Sequence, residues 1–80
     1  MNTPTDIMLD DLVARLNGLT GHQWQRYMAW EVKVAVLIDG AVWNYGHSVT
    51  LRKLDADPVG YAALIAAKFN AELEAAKQGK

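Results

Sequence analysis

Apolar and polar residues alternate in the middle of the chain, and this alternation predicts a β-strand. Every second residue from 28 to 38 is apolar, namely Met28, Trp30, Val32, Val34, Val36 and Ile38. Successive side chains of a strand point to opposite faces, so these six residues would share one face. Asp39-Gly40 follows, and this dipeptide is typical of a two-residue type I′ hairpin turn. The pattern therefore predicts a hairpin whose first strand covers 28–38.

The turn also predicts the register of the second strand. Folding about Asp39-Gly40 pairs Val36 with Trp43 and Val34 with Tyr45, which places the aromatic residues on the apolar face. The opposite face is mixed and small, as a solvated or partner-contacting face should be. Gly46 could introduce a bulge, which would turn His47 outward.

Helical spacing and capping residues mark both ends of the chain. Thr3 is a candidate N-cap, and Asn17-Gly18 supplies a predicted end for the first helix. A second helix is predicted to begin after Asp57, with Pro58 at its first position, and to end near Lys77. Their predicted core-facing residues are Leu9, Leu12, Val13, Leu16, Tyr61, Ala62, Ile65, Ala66, Phe69, Leu73 and Ala76.

Two stretches are less regular. Thr20 and Gln23 could cap a short helix that carries Trp24 and Tyr27, and we favour this over a run-in to the strand. Residues 51–56 are predicted to be a connector. Because a two-stranded sheet is marginal alone, a third strand could come from residues 22–27 or from a second copy of the chain, giving a homodimer.

Composition sets the class of protein. The 80 residues are 51% hydrophobic and 21% charged, with a net charge of −1 and no cysteine. These values predict one small α+β domain over residues 1–80, a helix–β-hairpin–helix with both helices packed on one face of a small antiparallel sheet. The amino terminus lacks the features of a signal peptide, and no apolar run is long enough to span a membrane. We therefore expect a soluble, cytoplasmic protein.

Catalytic and metal-binding patterns are weak in this sequence. His22 and His47 have no second histidine or carboxylate at metal-ligand spacing. Asp10-Asp11 lies near a predicted helix start, where acidic residues stabilise the helix dipole. Gly18 and Gly21 form no phosphate loop. We therefore expect no catalytic residue, metal or cofactor, and a protein that is not an enzyme.

An alternative function is a small nucleic-acid-binding or regulatory domain. Its candidate residues are one tryptophan and four basic residues, namely Trp24, Arg26, Lys33, Arg52 and Lys53. Aromatic rings can stack bases, and basic residues attract phosphates. However, Trp30, Trp43 and Tyr45 fall on the face predicted to be buried, and the near-neutral net charge argues against direct nucleic-acid binding.

A resemblance favours another function. The segment Trp30-Glu31-Val32-Lys33-Val34, the Asp39-Gly40 turn, Trp43-Asn44-Tyr45-Gly46 and the Ala-rich helix resemble small accessory proteins of phages and mobile elements, a group that includes anti-CRISPR proteins. The resemblance covers about residues 28–76 and carries no diagnostic motif. It implies a non-enzymatic inhibitor that binds and blocks a larger protein or ribonucleoprotein complex of host defence.

The hairpin predicts where such a partner would bind. In the predicted register Leu37 lies opposite Val42 on the outward face, which makes a small exposed apolar spot near the turn. Charged residues beside it can set orientation and association rate. The predicted partner-binding residues are Glu31, Lys33, Leu37, Val42 and Asn44.

Overall fold

Helices pack on one face of a three-stranded antiparallel sheet. The computed structural model describes residues 3–79. The elements are α1 (Pro4–Thr20), β1 (Trp24–Tyr27), β2 (Glu31–Ile38), β3 (Ala41–Ser48), α2 (Leu51–Ala56) and α3 (Pro58–Gln78). The strands lie in the order β1-β2-β3. The predicted α+β class, with helices on one face of a small antiparallel sheet, is confirmed.

The hairpin of β2 and β3 has the predicted register. Val36 pairs with Trp43 and Val34 with Tyr45. Asp39 and Gly40 have φ values of 51° and 81°, as a type I′ turn requires. Gly46 pairs with Lys33 without a bulge, so His47 stays on the face that packs against the helices.

The chain before the hairpin differs from the prediction. Residues 24–27 form strand β1 rather than the favoured helical turns, and β1 pairs with β2. This confirms the alternative in which residues 22–27 supply a third strand. The first hairpin strand begins at Glu31, because the chain turns at residues 28–30 and Met28 has a φ of 58°. The turn reverses the expected positions of two tryptophans. Trp24 is buried with 4% of its surface exposed, whereas Trp30 is 54% exposed.

The helix boundaries follow capping chemistry in most places. Thr3 Oγ1 accepts a hydrogen bond from the Asp6 N–H, and the Asp6 carboxylate accepts one from the Thr3 N–H, as the predicted capping box requires. The predicted end at Asn17-Gly18 is wrong, since α1 continues to Thr20. Gly21, with a φ of 74°, ends the helix in the left-handed conformation that suits glycine.

The carboxyl-terminal half contains one helix more than predicted. Residues 51–56 form α2 rather than a connector, and Leu54 in this helix is buried. Asp57 caps α3 as predicted, because its side chain accepts a hydrogen bond from the Gly60 N–H. The buried side of α3 is the predicted arc, and Phe69 at its centre is fully buried.

The turn glycine gives a test of the hairpin. Replacing Gly40 with alanine forces a Cβ atom into a φ of 81°, which costs about 1–2 kcal/mol. Gly18 lies inside α1 with open space around it, so Gly18→Ala should instead stabilise the protein by about 0.5–1 kcal/mol. The urea concentration at the midpoint of unfolding, followed by circular dichroism, should therefore fall for Gly40→Ala and rise for Gly18→Ala. Equal shifts would contradict the turn assignment.

Candidate functional site

The face of the sheet turned away from the helices is the candidate site, and we call it the outer face. Its side chains come from alternate positions of the three strands, namely Gln25, Tyr27, Glu31, Lys33, Ala35, Leu37, Val42, Asn44, Gly46 and Ser48. None of them is buried. The buried residues of all three helices belong to one core with Val32, Val34 and Val36 on the other face. Within residues 3–79, no helix covers the outer face.

An apolar pair marks the hairpin end of the outer face. Leu37 and Val42 are directly paired across β2 and β3. Leu37 is 71% exposed and Val42 is 63% exposed. Side chains directly opposite each other in an antiparallel sheet have Cβ atoms about 4.5–5.5 Å apart, so these two form one continuous contact surface.

Charged groups lie farther from the turn on the same face. The Lys33 ammonium sits 4.2 Å from the centre of the Tyr27 ring, in a cation–π contact. The Glu31 carboxylate lies over Gly46, with an oxygen 3.0 Å from where a Cβ atom would be. Asn44 is exposed on β3, opposite Ala35. The outer face therefore holds all five predicted partner-binding residues, with its apolar pair at one end and its charges at the other.

The residues of the nucleic-acid alternative do not form one surface. Trp24 is part of the core, where its ring lies edge-on to Phe69 with the ring centroids 5.2 Å apart. Its indole N–H donates to Thr20 Oγ1 over 2.9 Å. The interpretation of Trp24 as an exposed platform is wrong, because packing against α3 buries this ring. Lys33 lies on the outer face, whereas Arg52 and Lys53 lie exposed on α2.

Arg26 serves to attach β1 to α1. Its guanidinium lies 3.0 Å from Asp6 Oδ1 and 3.3 Å from Asp10 Oδ1. The hydrogen bond to Asp6 raises the pKa of Arg26, and the backbone N–H of Thr3 together with Arg26 lowers the pKa of Asp6. A guanidinium held by two carboxylates has little remaining attraction for a phosphate.

The acidic pair of α1 has structural partners. Asp10 contacts Arg26, and Asp11 accepts a hydrogen bond of 2.7 Å from Arg15 one helical turn away. These ion pairs give both carboxylates a structural role on the surface of the helix. Over residues 3–79, no group of three histidine, cysteine or acidic side chains is arranged to hold a metal ion.

Both histidines pack against aromatic rings. His22 lies edge-on to Phe69, with the ring centroids 5.5 Å apart. His47 Nε2 lies 3.5 Å from the Tyr61 hydroxyl, which in turn accepts a hydrogen bond from the Thr50 N–H over 2.9 Å. Burial, and secondarily the charge of Lys68, lowers the pKa of His47. These contacts join β3 to α3 and place His47 on the structural side of the sheet.

The sequence prediction missed one exposed surface. Met28 and Trp30 are 75% and 54% exposed, and they line a shallow depression of about 350 Å³ beside Val49. The signal that could have revealed them is absent, because the alternating pattern continues through residues 28–30 and the turn contains no glycine, proline or asparagine.

Comparisons with known proteins do not place this chain in a family. No family model, curated protein or solved structure matches the chain. None of the helices within residues 3–79 combines the length and apolar character needed to cross a membrane.

Proposed function

We propose that this protein is a non-enzymatic binding module that uses its outer face to bind a larger protein or ribonucleoprotein complex. The observation that carries the proposal is the directly opposed pair Leu37 and Val42, exposed on a sheet face that no helix covers within residues 3–79. Exposed apolar patches rimmed by polar groups mark interaction surfaces in soluble proteins.

The two ends of the outer face have different roles in this proposal. Burying a side chain such as Leu37 or Val42 stabilises a complex by about 1.5–3 kcal/mol, so the apolar pair supplies affinity. Glu31 and Lys33 supply orientation and a faster association, because charges at an interface rim act mainly on the encounter. A partner with an apolar projection flanked by charges of both signs would match this arrangement.

The proposed partner is a host defence complex that this protein binds and blocks, as a phage-type inhibitor of the anti-CRISPR kind does. This part of the proposal rests on the resemblance of the hairpin and the Ala-rich helix to small accessory proteins of phages. It includes a cytoplasmic setting, where such complexes act. The nucleic-acid alternative is not favoured, since Trp24 is buried and Arg26 is held by two carboxylates.

A double substitution on the outer face tests the proposal. A tagged Leu37→Glu/Val42→Glu variant should keep its helical circular dichroism and should lose at least about tenfold in capture of the complex that the wild-type protein retains from a bacterial lysate. Two charges in place of an apolar anchor remove burial and add an unpaired desolvation cost. Mass spectrometry with and without nuclease treatment identifies what is captured.

A matched variant controls for charge. Val59→Glu/Leu64→Glu introduces the same two charges at exposed apolar positions of α3, on the helical side of the molecule. This control should capture the complex as the wild-type protein does. Full capture by a folded Leu37→Glu/Val42→Glu variant would refute the assignment of the outer face, and nuclease-sensitive capture would favour the nucleic-acid alternative instead.

A further inference from the structure

Strand β3 forms an edge of the sheet that carries none of the usual protections against pairing. Natural edge strands are commonly short, charged, bulged or interrupted by proline. β3 is eight residues long, its sequence AVWNYGHS contains no proline, lysine, arginine or acidic residue, and its register with β2 is unbroken. The sheet order places β3 at one edge.

The hairpin geometry shows which backbone groups of β3 face outward. Ile38 and Ala41 flank the two-residue turn and form a hydrogen-bonded pair, so every second residue from Ala41 bonds inward to β2. The hydrogen bond of 2.8 Å from the Val49 N–H to the Trp30 carbonyl fits the same alternation, because Val49 is also an even number of residues from Ala41. The N–H and C=O groups that point away from the sheet therefore belong to Val42, Asn44, Gly46 and Ser48.

The opposite edge is protected, which makes the open edge of β3 distinctive. β1 is only four residues long and ends at the turn containing Met28. The N–H groups of Trp24 and Arg26 point away from β2, and that of Trp24 donates to the Asn17 side chain over 2.6 Å. Arg26 adds a charge to the same short strand. One edge of the sheet is therefore short, charged and partly capped by the Asn17 side chain, whereas the longer edge of β3 stays available.

We propose that β3 pairs antiparallel with β3 of a second copy, which gives a two-fold symmetric dimer with a continuous six-stranded sheet. Outward-pointing groups must pair with each other, so even-numbered residues lie opposite even-numbered residues. The register centred on Tyr45 places Val42 opposite the partner's Ser48 and Asn44 opposite the partner's Gly46. It uses the whole of the outward-facing edge.

Glu31 favours a second copy of this chain as the occupant. Its carboxylate lies over Gly46, in the place where any other residue would carry its side chain. In the proposed register the side chain of the partner's Asn44 starts about 4.5–5.5 Å from that place, close enough for its amide to donate to Glu31. Two-fold symmetry makes this contact twice, and the uncharged edge places no like charges opposite each other.

Sedimentation velocity on the full chain tests the proposal first. The weight-average mass of the wild-type protein should rise from 8.8 kDa toward twice that value between 1 μM and 1 mM. Asn44→Pro removes an outward N–H without removing a hydrogen bond to β2, so it should weaken dimerisation at least about tenfold. Asn44→Thr keeps the N–H and should weaken it less. A monomeric wild-type protein at 1 mM, or a folded Asn44→Pro variant that dimerises normally, would overturn the proposal.

Disulfide formation tests the register even if the proline variant does not fold. The chain has no cysteine, so Val42→Cys and Ser48→Cys each provide a single thiol at an exposed site. Mixing the two variants under mild oxidation should give a cross-linked dimer containing one chain of each. Either variant alone should cross-link little, because like positions lie about 20 Å apart along the strands. Equal cross-linking in all three samples would refute the register.

Discussion

Replacing Phe69 with alanine is expected to remove most of the stability of this protein. The Phe69 ring is fully buried and lies within 6.0 Å, between ring centroids, of Trp24, Trp43, Tyr45 and His22. Deleting a buried phenylalanine costs about 3–5 kcal/mol, since the surrounding side chains fill the cavity only in part. A chain of this size has roughly 3–5 kcal/mol of stability, so the variant should be largely unfolded by circular dichroism.

A second position on the same helix separates the loss of packing from an effect on helix α3. Leu64 is 46% exposed, so Leu64→Ala should change the free energy of unfolding by less than about 1 kcal/mol. A Phe69→Ala variant that melts cooperatively within a few degrees of the wild-type protein would show that the aromatic cluster is not the centre of the core.

Alanine substitution of two tryptophans should give very different losses of stability. Trp24→Ala is expected to cost about 3–5 kcal/mol, because it removes a buried ring together with its hydrogen bond to Thr20. Trp30→Ala should stay within about 0.5 kcal/mol of the wild-type protein, because 54% of this side chain is exposed. Urea unfolding curves followed by circular dichroism measure both values.

The comparison decides between strand β1 and the helical alternative for residues 20–27. If the alternating pattern from residue 28 alone determined the hairpin, Trp30 would be buried opposite Val49 and Trp24 would be the exposed tryptophan. Greater destabilisation by Trp30→Ala than by Trp24→Ala would therefore contradict the position of β1 and support the longer first strand.

Local signals were sufficient for most of the hairpin and for the candidate site. Asp39-Gly40 fixes a turn with two positive φ angles, and a turn of fixed length leaves one register. Once that register is known, Leu37 and Val42 must lie opposite each other on one face. The five predicted partner-binding residues could be grouped from the sequence because their positions depend only on the turn and on a period of two.

The differences between the sequence prediction and the structure come from contacts between residues in separate elements of the chain. A left-handed residue at Met28 costs about 1–2 kcal/mol, and no glycine or asparagine marks a turn there. Burial of Trp24 against Phe69 offsets this cost. Phe69 lies in the last helix of the chain, so this contact cannot be read from the local sequence. In the same way, Asn17 resembles a helix end in the sequence, and in the fold its side chain accepts a hydrogen bond from the Trp24 N–H.

Local sequence was enough to predict the capping box at Thr3, the hairpin register and the buried side of α3, because each depends on residues within a few positions of one another. Packing between elements was needed to establish which tryptophan is buried, where α1 ends and that residues 51–56 form a helix. Those outcomes depend on apolar burial and hydrogen bonds between different elements, and such contacts outweigh local preferences of about 1 kcal/mol.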